Sequence, residues 1–133
     1  ADFEVAANVS VTVTDDPAAA YDKHRPVIAL YAGGMGAAAK NFHADLFRRM
    51  GYGEVVDEVG ARFREGRKAE AAAAVPDELV AETAIIGDPA EVRRRVAEWA
   101  DRGVTTLVVD VEDAEQVRAV ARAVTGEPLE RTV

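Results

Sequence analysis

The chain has 133 residues, of which 49% are apolar and 30% charged, a composition typical of globular domains rather than of disordered or membrane-spanning chains. Sixteen Lys and Arg residues against 24 Asp and Glu residues give a formal net charge of −8, which argues against binding to nucleic-acid phosphates. Cysteine is absent and the only histidines are His24 and His43, so disulfides, thiolate metal ligands and multi-histidine metal sites are excluded. No apolar run approaches the roughly 20 residues of a membrane span and no basic-then-apolar leader is present, so we expect a cytoplasmic protein with neither membrane nor nucleic-acid partners.

The chain opens with one predicted strand and one long predicted helix. Alternating β-branched residues predict the strand over residues 3–14. Asp16 and Pro17 predict the helix start, because an aspartate accepts from an early helical N–H and proline suits the first position. We expect the helix over residues 18–32, with a bend at Pro26. Its buried face, at the three-to-four spacing of a helix, is predicted to comprise Ala20, Tyr21, His24, Ile28 and Tyr31.

The middle of the chain is predicted to be helical. Residues 33–36 (GGMG) should break the first helix, because adjacent glycines favour a change of direction. Further helices are predicted over residues 37–50, 54–65 and 67–75, and a short one opens at Pro76. No strand is expected in this stretch.

The last third alternates strands and helices. We predict strands over residues 83–86 and 104–109, and the apolar succession in the second indicates a strand covered on both faces. Asp88 and Asp113 are each predicted to cap a following helix, the first with a capping box completed by Glu91. The inner face of the first of these helices is expected to comprise Val92, Val96, Trp99 and Ala100. This order predicts an α/β fold with parallel strands and right-handed crossovers.

Six segments of the chain resemble one family when taken together. They are residues 25–36 (RPVIALYAGGMG), 40–42 (KNF), 50–52 (MGY), 66–80 (GRKAEAAAAVPDELV), 85–87 (IIG) and 103–106 (GVTT). In combination they resemble the luciferase-like monooxygenase superfamily, and within it the oxidoreductases that use the deazaflavin coenzyme F(420). The resemblance extends from about residue 3 to residue 124.

The resemblance implies that this chain is part of a larger fold. The family forms a (β/α)8 TIM barrel, and such barrels need about 250 residues. Residues 1–133 are therefore expected to be a single incomplete domain, the C-terminal portion of the barrel with about strands six to eight and their helices. Much of the F(420) cradle would then belong to the absent part, so we expect this chain alone neither to retain the cofactor nor to turn over substrate.

The resemblance also implies an activity. It is hydride transfer between the deazaflavin and a small organic substrate, with the protein supplying orientation and a shielded pocket. An FMN-dependent luciferase-like monooxygenase is the alternative within the same fold. The residues themselves do not decide between the two cofactors, and no catalytic residue or metal site is assigned.

Two pairs of residues are the candidate ligand contacts. Barrel enzymes carry their sites at the carboxyl ends of strands, and Gly87 and Asp88 follow one such end, where free N–H groups of a helix start could bind a cofactor anion. Family members often carry a small hydroxyl residue in place of Asp88, so a plain capping role is the alternative. Asn41 and Phe42 lie in the resembling segment 40–42 and are the candidate substrate-binding residues, with ordinary helix packing as the alternative.

A non-catalytic function is the second hypothesis. Three parallel strands cannot close a barrel, and they leave unpaired edges and apolar faces. The expected partners are therefore the missing N-terminal half of the barrel or a second copy of the chain, and a homo-oligomer is expected. Such a half-barrel could act as a binding or oligomerisation module.

Overall fold

The computed structural model describes residues 2–37 and 40–126. The chain divides into two compact units, which we call the sheet unit (Ala1–Ala20 and Glu82–Val133) and the helical unit (Tyr21–Ala81). Among the described residues there are three strands and seven helices. In chain order they are β1 (Ala6–Val13), α1 (Pro17–Gly33), α2 (Phe42–Arg49), α3 (Gly53–Arg64), α4 (Lys68–Ala73), α5 (Asp77–Thr83), β2 (Ala84–Gly87), α6 (Pro89–Asp101), β3 (Thr106–Asp110) and α7 (Ala114–Thr125). The expectation of one incomplete domain stays a prediction.

The sheet unit holds a parallel three-stranded sheet in the order β2-β1-β3. Its register places Val13 of β1 opposite Gly87 of β2, and Ser10 of β1 opposite Asp110 of β3. The predicted α/β class with parallel strands is confirmed. Successive strands of a (β/α)8 barrel are neighbours, whereas here β1, the longest strand, lies in the middle and uses its backbone groups on both sides. The barrel itself stays a prediction.

One face of the sheet packs against α6 and α7. Because side chains alternate along a strand, Val9 and Val11 of β1 point to the same face, and both are buried. The buried core cluster comprises Val9, Val11, Ile85, Val92, Val120 and Ala123, with Val13, Val96, Trp99, Leu107, Val109 and Val111 packed against it. Burying one such aliphatic side chain contributes about 1.5–3 kcal/mol, so this face supplies much of the unit's stability.

Two expectations about this core are wrong. Ala100, predicted on the inner face of α6, is exposed, since it lies at the margin of the stripe that Val92, Val96 and Trp99 define. Val108 is 49% exposed, so β3 is covered on one face only within the described part of the chain. The apolar succession of Leu107, Val108 and Val109 therefore does not mark a strand buried on both sides.

The helical unit differs from prediction mainly at the start of α2. The helix predicted over residues 37–50 begins instead at Phe42, and Ala37 and Lys40 form an isolated antiparallel bridge. The reason is Asn41, whose extended backbone and side chain cap α2. Residues 38–39 of this prediction, and the predicted terminator Pro128, lie outside the described residues. α1 runs on through Pro26 and ends at Gly33, as the glycine segment predicted.

Candidate functional site

The carboxyl ends of the three strands lie at one edge of the sheet, where barrel enzymes carry their sites. The pairing of β1 with β2 is extended by a hydrogen bond of 2.8 Å from the Thr14 N–H to the Gly87 carbonyl. β3 ends earlier, because its last residue, Asp110, lies opposite Ser10. On that side the backbone of Val13 therefore extends beyond the end of its neighbouring strand.

The side chain of Gln116 supplies the partner that Val13 lacks. Its Nε2 donates to the Val13 carbonyl at 3.0 Å, and its Oε1 accepts from the Val13 N–H at 2.9 Å. A primary amide carries the same donor and acceptor as a peptide group, so Gln116 continues the hydrogen-bond ladder beyond β3. The sequence gives no signal for this role, since Gln116 follows the cap Asp113 by three residues, a spacing that indicates only the start of a helix.

The start of α6 is built from carboxylates. Asp88 has extended backbone and accepts from the Glu91 N–H at 2.8 Å, which confirms it as the helix cap. Glu91 accepts from Nη2 of Arg94 at 2.7 Å and from its Nε at 2.9 Å. These hydrogen bonds lower the pKa of the Glu91 carboxyl, which therefore stays charged. The predicted capping box is thus half formed. Asp88 caps the helix, whereas the Glu91 carboxylate accepts its hydrogen bonds, among the described residues, from Arg94.

Gly87 is needed for packing at this position. A Cβ added there would lie 2.7 Å from Cγ of Glu91, so no larger residue fits without displacing that side chain. A cofactor phosphate at the start of α6 would meet the carboxylates of Asp88 and Glu91, which repel it. The residues present do not fit an anionic cofactor group, and the arrangement supports the capping alternative. Cofactor contact at Gly87 and Asp88 stays a prediction, and we assign no reaction step to it.

Asn41, in the helical unit, is a structural cross-link. It is buried, and its Nδ2 donates to the carbonyls of Tyr31 at 2.8 Å and Ala32 at 3.2 Å. Its Oδ1 accepts from the Ala44 N–H at 3.0 Å. The amide therefore joins the end of α1 to the start of α2 and has its donor and acceptor groups occupied.

Phe42 has an exposed ring held in place by neighbouring rings. It is 74% exposed, and its ring lies edge-on to His43, with centroids 5.7 Å apart. His43 in turn stacks on Tyr31, with centroids 4.5 Å apart and planes 19° apart. Of the two candidate substrate-binding residues, Phe42 therefore has surface to offer a ligand, while Asn41 fixes its position. The two candidate pairs belong to different units of the chain.

Residues 2–37 and 40–126 contain neither a membrane-spanning helix nor a metal site. No helix there is both long and apolar enough to cross a membrane. No group of three or more acidic or histidine side chains in those residues is arranged to hold a metal ion.

Comparison with known proteins identifies the family. The model of the luciferase-like monooxygenase family matches residues 1–106, and the chain belongs to this family. A Mycobacterium tuberculosis (strain ATCC 25618 / H37Rv) protein named "Putative coenzyme F(420)-dependent oxidoreductase Rv3520c" is 54% identical over 123 residues, which are 92% of this chain and 35% of that protein. The chain thus spans about a third of the length of this relative. Both findings confirm the predicted resemblance, and no solved structure matches the chain.

Proposed function

We propose that this chain is part of a longer oxidoreductase that uses coenzyme F(420) to transfer hydride to or from a small organic substrate. The observation that carries the proposal is the 54% identity, spread over 92% of the chain, to a protein named for F(420)-dependent oxidoreduction. The family match over residues 1–106 supports it. In the proposed whole protein, this chain contributes the last strands and helices of a (β/α)8 barrel, and other parts supply most of the cofactor-binding groups.

Within this chain, Phe42 is the proposed substrate contact. Its exposed ring presents an apolar surface, and contacts with His43 and through it with Tyr31 hold that surface in place. Asn41 is a positioning residue, because its three hydrogen bonds fix the backbone from which Phe42 projects. A fixed aromatic surface loses little conformational entropy when it binds a ligand.

The cofactor assignment is tested by titrating the longer polypeptide with F(420) and, separately, with FMN. Binding is followed by the absorbance and fluorescence of each cofactor. Saturable binding of F(420), and its reduction or oxidation with a substrate, is the expected result. Binding of FMN without binding of F(420) would establish the flavin-dependent monooxygenase instead.

The proposed role of Phe42 is tested by Phe42→Ala, with Leu46→Ala as the matched control. Leu46 lies on the same helix and is 41% exposed. Phe42→Ala is expected to raise KM for the substrate several-fold while leaving the affinity for F(420) unchanged, and Leu46→Ala should change neither. Equal effects of the two substitutions on KM would remove Phe42 from the substrate site.

A non-catalytic module is the second candidate function, because one observation favours it. β3 has β1 as its one partner strand in the described part of the sheet, and its Val108 side chain is 49% exposed. An open strand edge beside exposed apolar side chains is a surface on which another chain can pair. Failure of the longer polypeptide to bind either cofactor would support this candidate.

A further inference from the structure

The helical unit contains a small polar cavity that none of the roles above uses. Its volume is about 250 Å³. At about 30 Å³ for each water it has room for roughly eight waters, and it is smaller than the ~300 Å³ at which pockets for drug-sized ligands begin. Its walls come from the end of α1, the segment that follows it, α2 and α3. They include Gly33, Gly36, Asn41, Arg48, Asp57 and Arg64. The cavity is therefore of a size for a small ligand.

The charges around this cavity do not cancel. Arg48 donates from Nη2 to the Asp57 carboxylate at 2.6 Å, so these two residues form a neutral pair. The pKa of Asp57 is lowered first by this hydrogen bond and further by the charge of Arg64, so the carboxylate stays ionised. Arg64 has no carboxylate within ion-pair distance among residues 2–37 and 40–126, which leaves the lining with one excess positive charge.

The position of Arg64 directs its guanidinium across its own helix. A Cβ added at Gly60, one turn earlier in α3, would lie 3.0 Å from Nη1 of Arg64. The guanidinium therefore folds back over Gly60, where a side chain at that position would crowd it. In this orientation Arg64 lines the cavity, together with Arg48.

Two carbonyl oxygens at the end of α1, which would repel an anion, are already hydrogen-bonded. The end of a helix exposes carbonyl oxygens that carry partial negative charge. At the end of α1, the carbonyls of Tyr31 and Ala32 accept hydrogen bonds from the buried Asn41 amide. The cavity thus combines two guanidinium groups with one carboxylate that is already paired.

We propose that this cavity binds a small oxyanion, a phosphate or carboxylate group, with Arg64 as its principal ligand and Arg48, held by Asp57, as the second. A planar guanidinium donates two parallel hydrogen bonds to such a group, which gives directional binding that a general positive field does not. The chain as a whole carries a net charge of −8, so anions are not drawn to it without a local site. The inference does not depend on the cofactor assignment.

The test is calorimetric titration of the longer polypeptide with inorganic phosphate and, separately, with acetate, at constant ionic strength. Saturable binding of at least one of the two is expected, and the anion that binds tells phosphate from carboxylate recognition. Arg64→Gln should weaken binding at least tenfold. Arg49→Gln is the matched control, since Arg49 is an exposed residue of the same helix as Arg48 and does not line the cavity.

Absence of saturable binding of either anion would overturn the proposal, as would equal affinity in the parent protein and the Arg64→Gln variant. Far-ultraviolet circular dichroism of each variant shows whether it is folded, and a folded result is expected because the Arg64 side chain is exposed. Binding of F(420) measured on the same preparations separates the two proposals, because either can fail while the other holds.

Discussion

Two side-chain amides, Gln116 and Asn41, replace backbone partners at points where a strand or a helix ends. Each forms hydrogen bonds with backbone groups that secondary structure leaves unpaired. Unpaired backbone groups away from water cost about as much as a lost hydrogen bond, so these amides stabilise the ends of the elements they join.

Replacement of Gln116 should therefore be costly. Gln116→Ala leaves the partly buried N–H and carbonyl of Val13 without the partners that the side chain supplies. We expect the free energy of unfolding to fall by about 1–3 kcal/mol. Urea denaturation followed by circular dichroism measures this change. Arg118→Ala, at an exposed position of the same helix, should stay within about 0.5 kcal/mol, and equal effects of the two substitutions would contradict the structure.

The partly buried His24 should make the stability of the chain fall as the pH drops below neutrality. Burial lowers its pKa from the usual 6.5. Well above pH 6.5 the ring is neutral in the folded and the unfolded chain, so it adds no pH dependence there. As the pH falls below that value the unfolded chain binds the proton first, and stability decreases until the pH passes the lower folded pKa.

The check for His24 is the urea midpoint at pH 7.5 and at pH 5.5. His24→Gln should lose less stability over this interval than the parent chain, because glutamine does not titrate. Hydrogen bonds from arginine side chains lower the pKa values of Asp57, Glu70 and Glu91, so these carboxylates lose their contribution only at more acidic pH. The same loss in variant and parent would show that His24 is not desolvated in the folded chain.

Among the elements, α1 and α6 allow a matched test of proline in a helix. Pro26 lies inside α1 and cannot donate the hydrogen bond that the Asp22 carbonyl would otherwise accept. Pro89 is the first residue of α6, where the backbone N–H has no helical partner in any case. Pro26→Ala is expected to raise the free energy of unfolding by about 1–3 kcal/mol. Pro89→Ala should change the free energy of unfolding by no more than about 0.5 kcal/mol in the same thermal or urea experiment. A larger change at Pro89 than at Pro26 would contradict the placement of Pro26 inside a helix and of Pro89 at a helix start.

The helix starts show which elements the sequence alone could predict. Asp16, Asp88 and Asp113 were predicted as caps, and each accepts a hydrogen bond from the N–H three residues on. These predictions succeeded because a cap is a contact between near neighbours. The start of α2 was missed because Asn41 is held by carbonyls nine and ten residues earlier, and helix propensity over residues 37–40 does not contain that information.

At the scale of the whole molecule, the exposed apolar side chains predict how the isolated chain behaves. Val108 of β3 and Val117 of α7 are both 49% exposed, and the edge of β3 away from β1 is open among the described strands. Native mass spectrometry of the isolated chain should show dimers or larger assemblies, and an apolar dye should bind. The longer polypeptide, in which the missing part of the fold covers these side chains, should not bind the dye. A 14.2 kDa monomer that melts cooperatively and excludes the dye would contradict the expectation of a missing partner.

The strand order could not be predicted at this scale from the sequence. Alternation of strands and helices predicts parallel pairing, which the sheet confirms, but the choice of the central strand depends on which segments pair across the fold. The contacts of the candidate site could be predicted only where they join near neighbours in the sequence. Asp88 could be assigned as a cap from its neighbours, whereas the partnership of Gln116 with Val13 links residues that lie 103 positions apart.

The hydrogen bond between Gln116 and Val13 also makes the amide proton of Val13 sensitive to the contact between α7 and the sheet. The Val13 N–H donates to a side chain of α7, so its exchange with solvent deuterium requires this bond to open, by rotation of the Gln116 side chain or by undocking of the helix start. Amide protons between β1 and β2 exchange only when the strands themselves separate. The rate at Val13, compared with that at a neighbouring paired position, therefore measures how often the contact between Gln116 and β1 opens while the sheet remains intact.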